Sequence, residues 1–308
     1  MADLPYLAHR LYNKPQLATP DYAALVSSLL AERMGVAAPL DLAASEKPPE
    51  RRPFSASLTD GVLTYPIVGG LVHRGDAFDA SCGLQSYTHL ENTLMRAVHD
   101  GWTVREGDAL RTHEVKGILL DIDSPGGEAA GCFEFCDTLA EIGARVPIVA
   151  LANTACCSAA YAIAASCSKV YAAPSARVGS VGVVTMHTDL SGAMAKKGVR
   201  VTFIHAGAMK AAGNSFEPLP EDVRVEIQAS IDAMYSEFID RVARRRPMSA
   251  EAIRATEARV YGADQALSLG LVDAVATYEQ ARTTLAAEVN RKKTNLAMIE
   301  GVPVKWQS

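Results

Sequence analysis

The run Val146–Ala165, VPIVALANTACCSAAYAIAA, constrains this chain more than any other stretch. Val146–Leu151 is a short continuous apolar run that reads as a buried strand, and Ala159–Ala165 is a small-residue run that reads as a helix. A strand that is apolar on both faces belongs in a covered sheet, which points to an α/β architecture. Ser158 stands at the junction. A serine at the start of a helix has backbone N–H groups without intrahelical partners beside it, and a dipole that favours negative charge. It is either an ordinary cap or a nucleophile whose attacked carbonyl becomes an oxyanion held by those donors.

The texture around this junction repeats. GVLTYPIVGGLV, residues 61–72, reads as a strand with a glycine bend, and Tyr87–Val98 as a helix stopped by Gly101. Lys116–Ile122 is a further apolar strand, running into a tight turn Asp123-Ser124-Pro125-Gly126-Gly127 and a helix from Glu128 to about Ile142. Lys169–Ala172 reads as a strand, Val178–Val184 as a glycine-punctuated stretch suited to close backbone approach, Thr188–Lys197 as a helix closed by Gly198, and Val199–Ile204 as a strand. Alternating strands and helices predict largely parallel pairing.

After the loop 205–220, Pro220, Glu221 and Asp222 start a long helix with the stripe Val223, Ile227, Ile231, Met234, Phe238 and Val242. Arg244–Arg246 complement its C-terminal end. Ser249 opens another helix, Val260–Asp273 reads as turn, helix, Gly270 stop and strand, and an amphipathic helix begins at about Tyr278. Residues 1–42 read as a helical extension with a start at Pro20-Asp21, and Ser45–Ser55, SEKPPERRPFS, as a linker. The expected division is an extension and linker over 1–56, a main domain over 57–285, and a polar tail over 286–308.

A net charge of −5 argues against a general nucleic-acid binder. Six cysteines without a CxxC pair, and an N-terminus without a basic and then apolar leader, point to a reducing compartment and a soluble protein. The uncharged run Val146–Ser168 is rich in Ala, Ser, Cys and Thr, which suits a buried strand and helix better than a membrane span. Neither a metal nor a cofactor is called for.

Two further features bear on Ser158. Gly126-Gly127 lies where small residues let backbone N–H groups face a ligand. Lys210 lies in the otherwise uncharged stretch Ala206–Ser215. A lysine acts as a general base only when neutral, so its pKa must fall from about 10.4 toward neutrality, which burial among apolar groups achieves. The competing residues have plainer readings. Cys157 is a buried thiol, Cys132 and Cys136 share a core-facing helix side, His205 is the histidine nearest Lys210 in sequence, and Asp121 and Asp123 serve strand-end and turn chemistry.

Taken together, DSPGG, CSAAYAIAA, VGSVGV, HAGAMKAAGN, PLPEDVR and VYGADQALSLGLVD resemble the serine–lysine peptidases of the signal peptide peptidase A family. The resemblance covers roughly residues 60–285 and is nearest to the phage branch, the minor capsid proteases of lambda-like tailed phages. It implies a Clp protease/crotonase-like α/β fold with repeated β-β-α and βα units. It also implies Ser158 as nucleophile, Lys210 as general base, the N–H groups of Gly127 and Ala159 as oxyanion hole, and Gly126, Gly179, Ser180 and Gly182 as supporting residues. Protein or peptide substrates follow (scaffold, portal, capsid proteins or the chain itself), with a homo-oligomer working in the host cytoplasm within the procapsid. One departure is Ala159-Ala160, where cellular members carry two glycines. The alternatives are a soluble bacterial peptidase degrading membrane-derived peptides, an acyl-CoA enzyme of the crotonase type, and an inactive assembly protein.

Overall fold

The structure, a computed structural model, describes residues 14–33, 55–75 and 83–300. Nearly all of the expected linker Ser45–Ser55 and the C-terminal end of the expected extension lie outside the described residues. The described residues begin with β1 (Gln16–Ala18), lying between Pro15 and Pro20, and α1 (Pro20–Arg33). Next come β2 (Ser57–Thr59), β3 (Val62–Val68), β4 (Gly70–Val72), β5 (Leu84–Ser86) and α2 (Tyr87–Asp100), which Gly101 ends at φ +85. An exposed hairpin, β6 (Trp102–Glu106) and β7 (Ala109–His113), precedes β8 (Gly117–Ser124), β9 (Gly126–Glu128) and α3 (Cys132–Gly143). Then follow β10 (Ile148–Cys157), α4 (Ala159–Ala165), β11 (Lys169–Ala172), β12 (Arg177–Gly179) and α5 (Ser191–Lys196). The described residues close with α6 (Glu221–Ala243), α7 (Ala250–Arg254), β13 (Val260–Gly262), α8 (Ala263–Leu269), β14 (Ala274–Val275) and α9 (Tyr278–Glu300).

The large sheet runs β13-β12-β10-β8-β3-β2, with β11 also on β10 and β14 on β11. Its β3, β8, β10, β11, β12 and β14 pair in parallel, as the alternation of elements predicts. Side chains alternate across it. Ile118, Leu120, Ile122, Ile148, Ala150 and Ala152 face the main core with α2, α3 and α4, whereas Leu119, Val149 and Leu151 face α9 through Leu285 and Val289. Both faces are therefore covered, which is why these strands are apolar throughout. A second sheet, β1-β9-β4-β5, leans on the end where β8 and β10 finish.

Several expectations change. The strand predicted over Val146–Leu151 runs on to Cys157, because β10 finds a second parallel partner in β12 after leaving β11. The helix predicted from Glu128 starts at Cys132, since Gly126–Glu128 is held as a strand between β1 and β4 and Gly131 turns at φ +80. Val199–Ile204 is not a strand. It is exposed, with Ile204 at 98%. Within the expected N-terminal extension, β1 pairs with β9. At the other end, α9 runs past residue 285 and buries Val289 against the sheet.

Candidate active site

Ser158 is fully buried at the point where β10 ends and α4 begins. Its backbone sits at φ +55 and ψ −115, a region in which a side chain costs about 1–3 kcal/mol. The junction is held from both ends. The Ser158 N–H donates to Gly179 O at 2.8 Å, and its carbonyl accepts from Ala162 N at 2.9 Å. Its Oγ donates to Gly182 O at 3.3 Å, so the hydroxyl does not cap the helix. The amides of the first turn of α4, Ala159 among them, have no intrahelical acceptor and lie at the positive end of the helix.

The glycine turn comes up against this junction from β8. Ser124, fully buried, donates through Oγ to Gly69 O at 2.7 Å and accepts from Gly126 N at 3.2 Å. Gly126 adopts φ +99, and a Cβ there would overlap the Leu17 carbonyl and stand 3.0 Å from Cys157 O and 3.1 Å from Ala159 N. At Gly127 a Cβ would overlap Leu71 O. These are close-approach positions that only glycine fills. On the far side, Gly179 takes φ +128, a Cβ on Gly182 would meet the Ala258 methyl at 2.6 Å, and Ser180 takes φ +55 with its N–H on Arg259 O at 2.9 Å.

The structure thus gathers Ser158, Ala159, Gly126, Gly127, Gly179, Ser180 and Gly182 at one place. Lys210 stands apart. It is exposed on a single 3-10 turn, Ala208–Ala211, and among the described residues no hydrogen bond or ion pair joins its Nζ to Ser158. The apolar surroundings expected for it are not provided by the isolated chain. Its segment is tied at the base by Leu190 N–H to Ser215 O at 2.7 Å and by a His187–Asn214 contact at 3.0 Å. His205 is also exposed and contacts Gly207 O. Cys157 is buried, and burial pushes its thiol up to about 11, which fits an inert core residue. Cys132, Cys136, Cys156 and Cys167 are buried and free. Among the described residues no cluster of His, Cys, Asp and Glu could hold a metal ion, and no helix is long and apolar enough to cross a membrane.

Sequence reasoning missed one contributor, β1. Gln16–Ala18 pairs antiparallel with Gly126–Glu128, and Gln16 exchanges backbone hydrogen bonds with Val184. The four residues Gln-Leu-Ala-Thr between Pro15 and Pro20 are too few to show a period, so only the prolines, which favour extended neighbours, could have flagged them.

The sequence profile described as Peptidase family S49 matches residues 140–292, a span containing the Ser158 junction and Lys210. The capsid assembly protease C of Escherichia phage lambda is 30% identical over 314 residues, covering 96% of this chain and 69% of that one. The chain belongs to peptidase family S49. Another relative of this S49 chain, the head-tail preconnector protein GP5 of Enterobacteria phage P21, is 32% identical over 303 residues, or 94% of this chain. The chain spans only 58% of that relative's length. A cellular relative, the putative signal peptide peptidase SppA of Enterococcus faecium, is 31% identical over 60% of this chain and 54% of its own.

Proposed function

We propose that this S49 chain is a serine endopeptidase that cleaves protein substrates (scaffold, portal, capsid proteins or itself) during phage or prophage head assembly, inside the procapsid in the host cytoplasm. The observation that carries the reading is the buried Ser158 hydroxyl at a strained strand-to-helix junction, with the helix-start amide of Ala159 next to the space that a Cβ on Gly126 would fill. Such fixed N–H donors suit a charge that develops during reaction, because they need no reorganisation when it appears. The phage setting rests on the two phage relatives, which align over nearly all of this chain. The signal-peptide-degrading alternative rests on a shorter match.

In this reading neutral Lys210 takes the Ser158 proton, Oγ adds to a peptide carbonyl, and the N–H groups of Gly127 and Ala159 hold the oxyanion. Lys210 returns the proton to the leaving amine, and the acyl-enzyme is then opened by water that Lys210 deprotonates. Its ammonium must lose solvent for this to work. Val199, Val201, Phe203, Ile204 and Met209, on the same segment, are exposed apolar side chains. A second copy covering that segment would dry the lysine as well as bury those residues, so the reading includes a homo-oligomer that completes each site.

The test is intact-mass analysis of the chain and of Ser158→Ala and Lys210→Ala, each incubated with a candidate scaffold protein. Trimming by the parent alone, with both variants folded and inert, supports the dyad. Equal behaviour of all three overturns it.

A further inference from the structure

We propose that β1 occupies the peptide groove of this chain as a built-in strand, and that an outside peptide binds only after β1 has left. The proposal rests on the peptidase reading above and deepens it by naming the occupant, its register and the side chain the groove accepts. β1 is hydrogen-bonded along both edges. On one side the Gln16 N–H donates to Val184 O at 2.8 Å and Gln16 O accepts from Val184 N at 3.0 Å. On the other, Thr19 N–H donates to Pro125 O at 3.0 Å, and Ala129 N–H to Pro15 O at 3.4 Å. Those two bonds flank the register Leu17↔Gly127 and fix the alternation of the antiparallel pair. Leu17 and Gly127 are therefore a hydrogen-bonded pair, and the Gly127 N–H is turned to the Leu17 carbonyl.

A Cβ on Gly126 would overlap that carbonyl and stand 3.1 Å from the Ala159 amide nitrogen, so the carbonyl and the amide flank the same point. Of all the carbonyls in β1, the one presented to the Ser158 junction is that of Leu17. Its side chain is fully buried in the main core cluster, so the groove supplies an apolar pocket at this position. The matching ligand is an extended peptide with an aliphatic side chain in the place of Leu17. The groove continues beyond the strand at both ends. A cavity of about 500 Å³ lies beside Lys14, Pro15, Gln16 and Glu128, and another of about 280 Å³ beside Ala18, Pro20, Ser180 and Val184. A strand added between two backbone edges is held by main-chain hydrogen bonds and selected by alternate side-chain pockets.

The experiment uses the full chain with Ser158→Ala, so that nothing is cleaved, and a fluorescein-labelled synthetic peptide of the sequence KPQLATPDY read by fluorescence anisotropy. It compares this parent with chains that also carry Leu17→Asp, which puts a charge in the pocket, or Gln16→Pro, which removes the donor to Val184. A tethered strand competes at an effective concentration near millimolar, so freeing the groove should tighten binding roughly tenfold or more. The expected result is tight binding by both opened chains, weak binding by the parent, and none by a peptide with Asp in place of its Leu. Equal affinity across the three folded chains overturns the proposal. So does cooperative loss of near-ultraviolet circular dichroism in both variants, which would make β1 a permanent strand of the fold. Tightened binding without cleavage by the Ser158 chain keeps the groove and removes the dyad; cleavage without tightened binding keeps the dyad and removes the built-in strand.

Discussion

At the scale of single residues, the site depends on positions where one atom decides. Gly126 combines φ +99 with a Cβ direction blocked by backbone, so Gly126→Ala is expected to cost about 1–3 kcal/mol in urea unfolding and to abolish scaffold cleavage. Behind α4, Arg246 is 3% exposed and makes a two-pronged contact with Asp273 at 2.8 and 2.9 Å. Asp273→Asn leaves that guanidinium without its counter-charge and should cost about 3–5 kcal/mol. Arg246→Met leaves a carboxylate that is 36% exposed and should cost less. Burial pushes the Asp273 carboxyl up, but hydrogen bonds from Arg246 and the Val170 N–H outweigh it and hold the group below its ordinary value. Its folded pKa being depressed, it contributes full stability above the ordinary carboxylate pKa of about 3.9, and loses it as pH falls from there through the depressed value. Acid unfolding followed by circular dichroism should show this loss in the parent and not in Asp273→Asn. The arginine triplet reads from sequence as helix-end complement, whereas Arg246 is a buried tie to Asp273, just before β14; only the long-range partner reveals the difference.

At the scale of elements, the legible parts were those with local causes. The apolar strands at β3, β8 and β10, the Gly101 and Gly270 stops and the Ser158 junction each follow from side chains adjacent in sequence. The second half of β10 was not legible, because NTACC carries no apolar run and is strand only through its partner β12. Val199–Ile204 failed for the opposite reason, having a strand-like pattern with no sheet edge to join. The turn between β8 and β9 hangs on Ser124, whose Oγ ties it to Gly69. Ser124→Ala should leave buried backbone groups unsatisfied, lower stability by about 1–3 kcal/mol, and slow cleavage by more than its effect on folding explains. Denaturant unfolding and cleavage rates measured on the same sample separate the two.

At the scale of the whole molecule, the exposed apolar segment around Ile204 is the expected meeting place of copies. Ile204→Asp changes a side chain that is 98% exposed, so it should leave the thermal midpoint of the isolated chain within a degree or two. Sedimentation velocity should show it shifted to smaller species, with scaffold cleavage lost in proportion. An unchanged sedimentation profile would remove the oligomer from the reading. The groove between β9 and Val184 has a wider consequence. Its walls are peptide groups, and peptide groups are the same in every protein. A slot of this kind questions a polypeptide about its shape before its spelling. Loose chain can straighten and lie down in it, while a segment already locked into its own sheet offers no free edge to insert. If the proposed peptidase works through this slot, which proteins are cut, and when, would be decided by how far the target has folded and assembled: a slack inner framework would be consumed and a finished shell passed over.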